Sequence, residues 1–128
     1  MAIRGRNNAS NSDKVRLGMI GGGEGAFIGA VHRLAARMDD HYELVAGVLS
    51  ATPEKARRSG AALGLPADRV YDDFEAMAKA ETKRADGIEA GAIVTPNHMH
   101  AGPAYAFLKA GVHIICDKPL TTSLAEAK

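Results

Sequence analysis

Short apolar runs alternate with stretches of helical periodicity along most of the chain. Five apolar runs predict buried strands, at 15–20, 42–49, 70–71, 91–95 and 112–116. The run at 70–71 is long enough for only a short strand. After the first run, Ile28, Val31, Ala35 and Met38 recur at the spacing of one helical face, and a helical segment follows each later run. This β-α alternation predicts an α/β fold with a doubly wound parallel sheet and helices on both faces.

Capping residues mark where several of these helices begin. Thr52-Pro53 places an N-cap before a proline at the first helical position. Asp72 with Glu75, and Ser123 with Glu126, have the spacing of capping boxes. The last helix has only begun at the end of the sequence. We therefore expect the chain to be truncated at its C-terminal end, a short exposed terminal helix being the alternative.

Composition divides the chain into a tail and one domain. Residues 1–13 are rich in Asn, Ser, Arg and Gly without periodicity, which predicts a disordered tail, and residues 14–128 form the predicted domain. Hydrophobic residues make up 46% of the 128 residues but aromatic residues only 5%. The core must therefore be built from Ala, Val, Ile and Leu, as in parallel sheets covered by helices.

Charge and cysteine usage exclude several function classes. Lys and Arg number 16 and Asp and Glu number 15, a balance that gives no electrostatic attraction to nucleic acid or to an anionic membrane. No apolar run approaches the roughly 20 residues that span a bilayer, and the first residues lack the apolar segment of a secretory signal. Cys116, the single cysteine, cannot form an internal disulfide. These features predict a cytoplasmic protein.

A glycine-rich turn follows the first predicted strand directly, as Gly21-Gly22-Gly23-Glu24-Gly25-Ala26. Glycines in such a turn permit a tight bend, close approach of a pyrophosphate and close packing of helix on strand, and the helix N-terminus attracts phosphate. The third glycine of the pattern corresponds either to Ala26 or, after a three-residue extension, to Gly29. The turn predicts dinucleotide binding, with S-adenosylmethionine binding as an alternative, and the Glu24 carboxylate is expected to point to solvent.

The end of the second strand bears on which dinucleotide is bound. NAD-specific folds usually place an acidic residue there, about 20 positions after the glycines, to bind the ribose hydroxyls. Here the position holds Ser50, 21 positions after Gly29, and Lys55, Arg57 and Arg58 follow. These cations favour NADP slightly over NAD, unless they only solvate an exposed helix face.

Three segments together resemble one protein family. They are Phe27-Ile28-Gly29-Ala30-Val31-His32-Arg33, Thr95-Pro96-Asn97-His98-Met99-His100 and Cys116-Asp117-Lys118-Pro119-Leu120. Over residues 15–128 the chain resembles the N-terminal, Rossmann-type domain of the glucose–fructose oxidoreductase/inositol dehydrogenase/MocA (Gfo/Idh/MocA) family. The resemblance implies an NAD(P)-dependent oxidoreductase of sugars or cyclic polyols whose C-terminal α+β substrate domain is missing here. It also implies homo-oligomerisation through that missing domain.

The resemblance assigns roles to particular residues. Lys118 would be catalytic, beside the nicotinamide, where a cationic neighbour disfavours its charged form and suits it to proton transfer. Pro119 would fix the direction of the lysine, a cis peptide bond being one way to do so. The residues implied to bind the cofactor are Gly21, Gly23, Gly25, Ala26, Phe27, Ile28, Gly29, Ser50, Thr95, Pro96, Asn97, His100, Asp117, Lys118 and Pro119.

Two other readings of the sequence remain open. A dinucleotide-sensing module without catalysis would have no need of Lys118, and an S-adenosylmethionine-dependent methyltransferase would usually carry an acid where Ser50 stands. His98 and His100 lack the further ligands that a zinc site requires, so no metal is expected.

Overall fold

The computed structural model describes residues 13–128, so the tail expected over residues 1–13 lies outside the described part except for Asp13. A parallel sheet forms the centre, and its strands are β1 Val15–Gly21, β2 Tyr42–Val48, β3 Ala90–Val94 and β4 His113–Cys116. Their order is β2-β1-β3-β4, and all three pairings are parallel. The sheet extends from β1 to β2 in one direction and from β3 to β4 in the other. The predicted doubly wound arrangement is therefore confirmed.

The predicted short strand at 70–71 is reduced to a single bridge. Val70 pairs in parallel with Gly47 on the outer side of β2, and the amide of Tyr71 donates to the carbonyl of Gly47 at 2.8 Å. A 3-10 turn at Ala67–Arg69 precedes the bridge and a helix starts at Phe74, so too little chain remains for a longer strand.

Within residues 13–128, five α-helices connect or follow the strands. They are α1 Phe27–Met38, α2 Pro53–Ala62, α3 Phe74–Thr82, α4 Ala101–Lys109 and α5 Leu124–Ala127. Thr52 is the N-cap residue of α2 and Pro53 opens the helix, as predicted, although the Thr52 side chain makes no capping hydrogen bond. Ser123 caps α5 and its hydroxyl oxygen accepts from the amide of Glu126 at 3.3 Å.

The predicted N-cap of α3 is wrong by one residue. Asp73 caps the helix instead of Asp72, and its Oδ1 accepts from the amide of Ala76 at 2.7 Å. The amide of Tyr71 is still bonded to β2 and Asp73 itself is extended, so the helix begins one position later than the Asp72–Glu75 spacing suggested.

Two hydrophobic clusters cover the two faces of the sheet. One contains Met77 of α3 and Phe107 of α4, packed on Ile20 and Ile93. The other packs Ile28 and Ala36 of α1, with residues that follow α2, against a second set of strand residues: Leu17, Met19, Ala90, Ala92 and Val94. Alternate residues of β1 and β3 thus point to opposite faces, as expected for strands buried on both sides.

One ion pair is buried beneath the connection from α3 to β3. Arg69 Nη2 donates to Glu81 Oε1 at 2.7 Å, and the two side chains are 7% and 0% exposed. The second carboxylate oxygen of Glu81 accepts no hydrogen bond and lies 3.6 Å from Arg84 Nε. Burial and the nearby Glu81 raise the pKa of Tyr71. The pair ties the bridge segment to α3.

Candidate dinucleotide-binding site

The predicted site residues gather at one edge of the sheet. Because all four strands are parallel, their carboxyl ends share this edge. The segments that leave these ends are the glycine turn after β1, Leu49–Ser50 after β2, Thr95–Asn97 after β3 and Asp117–Pro119 after β4. The winding direction reverses between β1 and β3, and open α/β sheets bind ligands in the crevice at such a point.

The glycine turn has the backbone conformation and the space that a phosphate group requires. Gly21, Gly22 and Gly25 have φ angles of 85°, 76° and 81°, a region that residues with a side chain rarely adopt. A Cβ built on Gly25 would meet nothing within 4 Å, so the backbone is open to a ligand there. Ala26 is the N-cap residue of the 12-residue helix α1 and provides no side-chain capping bond. The turn therefore fits a pyrophosphate bound by amide groups at a helix N-terminus.

Close packing identifies Gly29 as the third glycine of the pattern. A Cβ built on Gly29 would overlap the Cα of Gly22 and lie 3.0 Å from the carbonyl oxygen of Gly22. Ala26 cannot have this role because it already carries a Cβ and lies before the helix. The geometry therefore supports the three-residue extension of the turn, with Gly29 and not Ala26 as the third glycine of the pattern.

Arg33 supports the glycine turn from below, a role that we did not predict. Its Nη1 donates to the carbonyl of Gly22 at 2.7 Å and lies 3.3 Å from the sulfur of Met19. Burial, and to a smaller extent Arg37, lowers the pKa of the Arg33 guanidinium. Helical spacing could have predicted this contact from the sequence, because Arg33 lies one turn after Gly29 on the face that packs on the sheet.

Ser50 and the start of α2 form the other side of the turn. The Ser50 hydroxyl oxygen accepts from the amide of Thr52 at 3.1 Å, which leaves its hydrogen able to donate to a ligand. The amide of Glu24 donates to Ser59 Oγ at 2.9 Å. Glu24 is exposed, as expected, but its Oε2 accepts from Nε and Nη2 of Arg58, both at 3.3 Å. A carboxylate of the glycine turn and a guanidinium of α2 are therefore paired.

His100 lies beneath the site, which corrects its predicted direct contact with the cofactor. The residue is 1% exposed, and its Nδ1 and Nε2 lie 2.7 and 2.9 Å from the carbonyl oxygens of Pro119 and Thr95. No ring nitrogen is left for a ligand. His100 instead connects the segment after β3 to the segment after β4.

The segment that carries Lys118 is held by several contacts. The amide of Asp117 donates to the carbonyl of Ile93 at 3.1 Å, and the Asp117 carboxylate lies 3.6 Å from Nε2 of His32. The Lys118–Pro119 peptide bond is cis, and both residues are exposed at this edge. Burial, and to a smaller extent Asp117, raises the pKa of the Cys116 thiol. Cys116 therefore lacks the lowered pKa of a nucleophilic cysteine.

Two features that would indicate other functions are not found in residues 13–128. No group of three or more His, Cys, Asp and Glu side chains there could hold a metal ion. No helix in the same range is long and apolar enough to cross a membrane.

The fold and the site define a Rossmann-type dinucleotide-binding domain. The family model GFO_IDH_MocA, described as an oxidoreductase family with an NAD-binding Rossmann fold, matches residues 15–128. The chain belongs to the Gfo/Idh/MocA oxidoreductase family.

Individual relatives agree with this assignment. The uncharacterized oxidoreductase YfiI of Bacillus subtilis is 40% identical over 118 residues, which cover 91% of this chain and 30% of YfiI. An oxidoreductase from Sinorhizobium meliloti superimposes with a TM-score of 0.85 at 66% identity, covering 89% of this chain and 32% of that one. An inositol dehydrogenase homolog from Azotobacter vinelandii, complexed with NADH and myo-inositol, gives a TM-score of 0.87 at 40% identity, covering 90% and 30%. The chain thus spans about a third of the length of these relatives.

Proposed function

We propose that the chain is the NAD(P)-binding part of an enzyme that transfers a hydride between the nicotinamide and a CH–OH group of a sugar or cyclic polyol. The observation that carries the proposal is the open glycine turn at the N-terminus of α1, at the point where the sheet reverses its winding direction. The Azotobacter vinelandii relative with bound NADH and myo-inositol supports the choice of cofactor and of substrate class.

Each segment at the edge has a part in this proposal. Amides at Gly25, Phe27 and Ile28 bind the pyrophosphate, since the amide of Ala26 already donates to the carbonyl of Gly23 at 3.0 Å. Ser50 donates to the adenosine ribose, and Thr95, Pro96 and Asn97 line the nicotinamide ribose. Bound NAD(P) supplies the hydride chemistry. Lys118 holds the reacting oxygen of the substrate and exchanges its proton, while Asp117 and Pro119 fix the segment that presents the lysine.

The remaining elements of the proposal concern the whole protein. We place the substrate pocket and the contacts between subunits in a C-terminal α+β domain, so residues 14–128 alone are expected to bind cofactor without turnover. We also propose a cytoplasmic location and a slight preference for NADP, because Ser50 stands where NAD-specific folds carry an acid. A non-catalytic dinucleotide sensor is the second candidate, and the exposed Lys118 at the site edge disfavours it.

A pair of glycine substitutions tests the binding site. In Gly25→Ala the new Cβ meets no protein atom but occupies the space proposed for the pyrophosphate. Gly111→Ala is the matched control, because Gly111 also has a positive φ, of 78°, and open space around it but lies after α4. Both variants should lose a similar stability of about 1–2 kcal/mol from backbone strain.

Binding then separates the two variants. Calorimetric titration with NAD⁺, NADP⁺ and S-adenosylmethionine should show dinucleotide binding to the unsubstituted chain and to Gly111→Ala, and at least tenfold weaker binding to Gly25→Ala. Binding of S-adenosylmethionine alone, or equal binding to all three proteins, would overturn the proposal.

A further inference from the structure

The glycine turn and α2 are joined by two contacts that converge on Glu24. Its amide donates to Ser59 Oγ, which is 4% exposed, at 2.9 Å. Its carboxylate accepts from two nitrogens of Arg58 at 3.3 Å, and the two side chains are 61% and 63% exposed. The buried serine fixes the backbone of Glu24 against α2, so the carboxylate is held within reach of the guanidinium.

The Glu24–Arg58 pair joins two segments that are proposed to bind the cofactor. Arg58 lies in the second turn of α2, the helix that follows Ser50, and Glu24 lies in the turn proposed to bind the pyrophosphate. In Rossmann folds without an acid at the end of the second strand, a nearby arginine accommodates the 2′-phosphate of NADP. Arg58 is one of the three cations that follow Ser50, and its guanidinium contacts the glycine turn, where it is already paired with a carboxylate.

We propose that Glu24 is a specificity-determining residue that lowers the affinity for NADP relative to NAD by occupying Arg58. This inference rests on the proposed dinucleotide-binding function. A 2′-phosphate must displace the Glu24 carboxylate from the guanidinium and then sits beside that negative charge, whereas the 2′-hydroxyl of NAD requires neither change. Ser50 and the cations of α2 favour NADP over NAD. The Glu24–Arg58 pair thus reduces that preference.

The expected change in NADP⁺ affinity follows from the exposure of the ion pair. Exposed ion pairs contribute little, so releasing Arg58 by Glu24→Gln should raise the affinity for NADP⁺ about two- to fivefold. The affinity for NAD⁺ should rise less than that for NADP⁺, because both dinucleotides carry the pyrophosphate near Glu24 but only NADP⁺ has a 2′-phosphate for Arg58 to bind. Salt screens exposed charges, so the gain should shrink at about 0.5 M NaCl.

The experiment is a double-substitution cycle on the 128-residue chain, with the dissociation constants of NAD⁺ and NADP⁺ measured by calorimetry. The variants are Glu24→Gln, Arg58→Gln and the double variant. Glu43→Gln is the control for the change in net charge, because Glu43 is an exposed glutamate near the start of β2, at the opposite edge of the sheet. Thermal unfolding of each variant checks that the fold is kept.

We expect Glu24→Gln to raise the NADP⁺ affinity, Arg58→Gln to lower it, and the double variant to match Arg58→Gln. An unchanged NADP⁺/NAD⁺ affinity ratio in Glu24→Gln, a lower NADP⁺ affinity in that variant, or an equal gain in the Arg58→Gln background or in Glu43→Gln would overturn the inference while leaving the proposed function intact. A chain that binds neither dinucleotide would overturn both.

Discussion

The contact between Gly22 and Gly29 gives the sharpest prediction for the glycine turn. In Gly29→Ala the new Cβ would overlap the Cα of Gly22 and lie 3.0 Å from its oxygen and 3.1 Å from its carbonyl carbon. All three are backbone atoms, and Gly22 cannot move easily because Arg33 holds its carbonyl at 2.7 Å. Forcing a methyl group into a tight contact typically costs about 1–3 kcal/mol, and an overlap with backbone atoms belongs at the upper end of that range, about 2–3 kcal/mol.

The gain in helix propensity only partly offsets this cost. Replacing glycine by alanine inside a helix stabilises it by at most about 1 kcal/mol, so the free energy of unfolding should fall by about 1–2 kcal/mol. For a domain of this size that lowers the melting temperature by about 4–8 °C. Circular dichroism during thermal and urea unfolding measures both quantities.

Gly102→Ala is the matched control for this prediction. Gly102 also lies in the first turn of a helix, but the atom nearest to its new Cβ is Cζ of the Phe74 side chain, at 3.2 Å, and a side chain can shift. Its free energy of unfolding should change by less than about 1 kcal/mol. Gly29→Ala should also bind NAD⁺ more weakly, since α1 is pushed away from the turn. Equal stability of the two variants would refute the packing argument.

Three further predictions concern other parts of the fold. Asp73→Ala should lower the free energy of urea unfolding by about 1 kcal/mol, because α3 loses its N-cap. Asp72→Ala should change this free energy by less than about 0.5 kcal/mol, and equal losses in the two variants would contradict the cap assignment. Glu81→Leu leaves the buried Arg69 guanidinium with only the exposed Asp86, whose carboxylate lies 3.7 Å from Nη1, and should cost about 3 kcal/mol in the same assay. Adding Arg69→Met should recover part of that loss, and a loss below about 1 kcal/mol in the single variant would argue against a buried pair. Because the pKa of the Cys116 thiol is raised in the folded chain, its rate of alkylation by iodoacetamide should rise at higher pH than that of the urea-unfolded chain, and a lower midpoint in the folded chain would contradict this account.

Much of the fold could be predicted because the signals are local. The apolar runs indicated every strand of the sheet, and parallel pairing then brought the ends of those strands to one edge. The glycine turn was predicted in the same way, because its position between a strand and a helix follows from the sequence alone. The helical face predicted for α1 was wrong in part, because Val31 and Met38 are 42% and 77% exposed and Ala36 packs on the sheet instead. The choice between Ala26 and Gly29 could not be made from the sequence, because it depends on the contact between Gly29 and Gly22 across the turn.

The errors at the other positions have the same physical origin. Asp72 and Asp73 are chemically identical, and only the bond from Tyr71 to β2 decides which of them caps α3. His100 was expected at the cofactor because its motif lies at a strand end, but the carbonyls of Thr95, in the same motif, and of Pro119, 19 residues later, hold its ring in the interior. The pairing of Glu24 with Arg58 depends on how α2 packs beside the glycine turn, so the sequence spacing of the two residues does not predict it.

The central claim is that a dinucleotide binds against the glycine turn with its nicotinamide end near Lys118. Titration of the ¹⁵N-labelled chain with NAD⁺, followed by amide chemical shifts, tests it most directly. We predict the largest shift changes at Gly25 to Ile28, with further changes at Thr95 and Lys118 and none at Gly111. Saturable shifts confined to another face of the sheet, or no shift at millimolar NAD⁺, would contradict it.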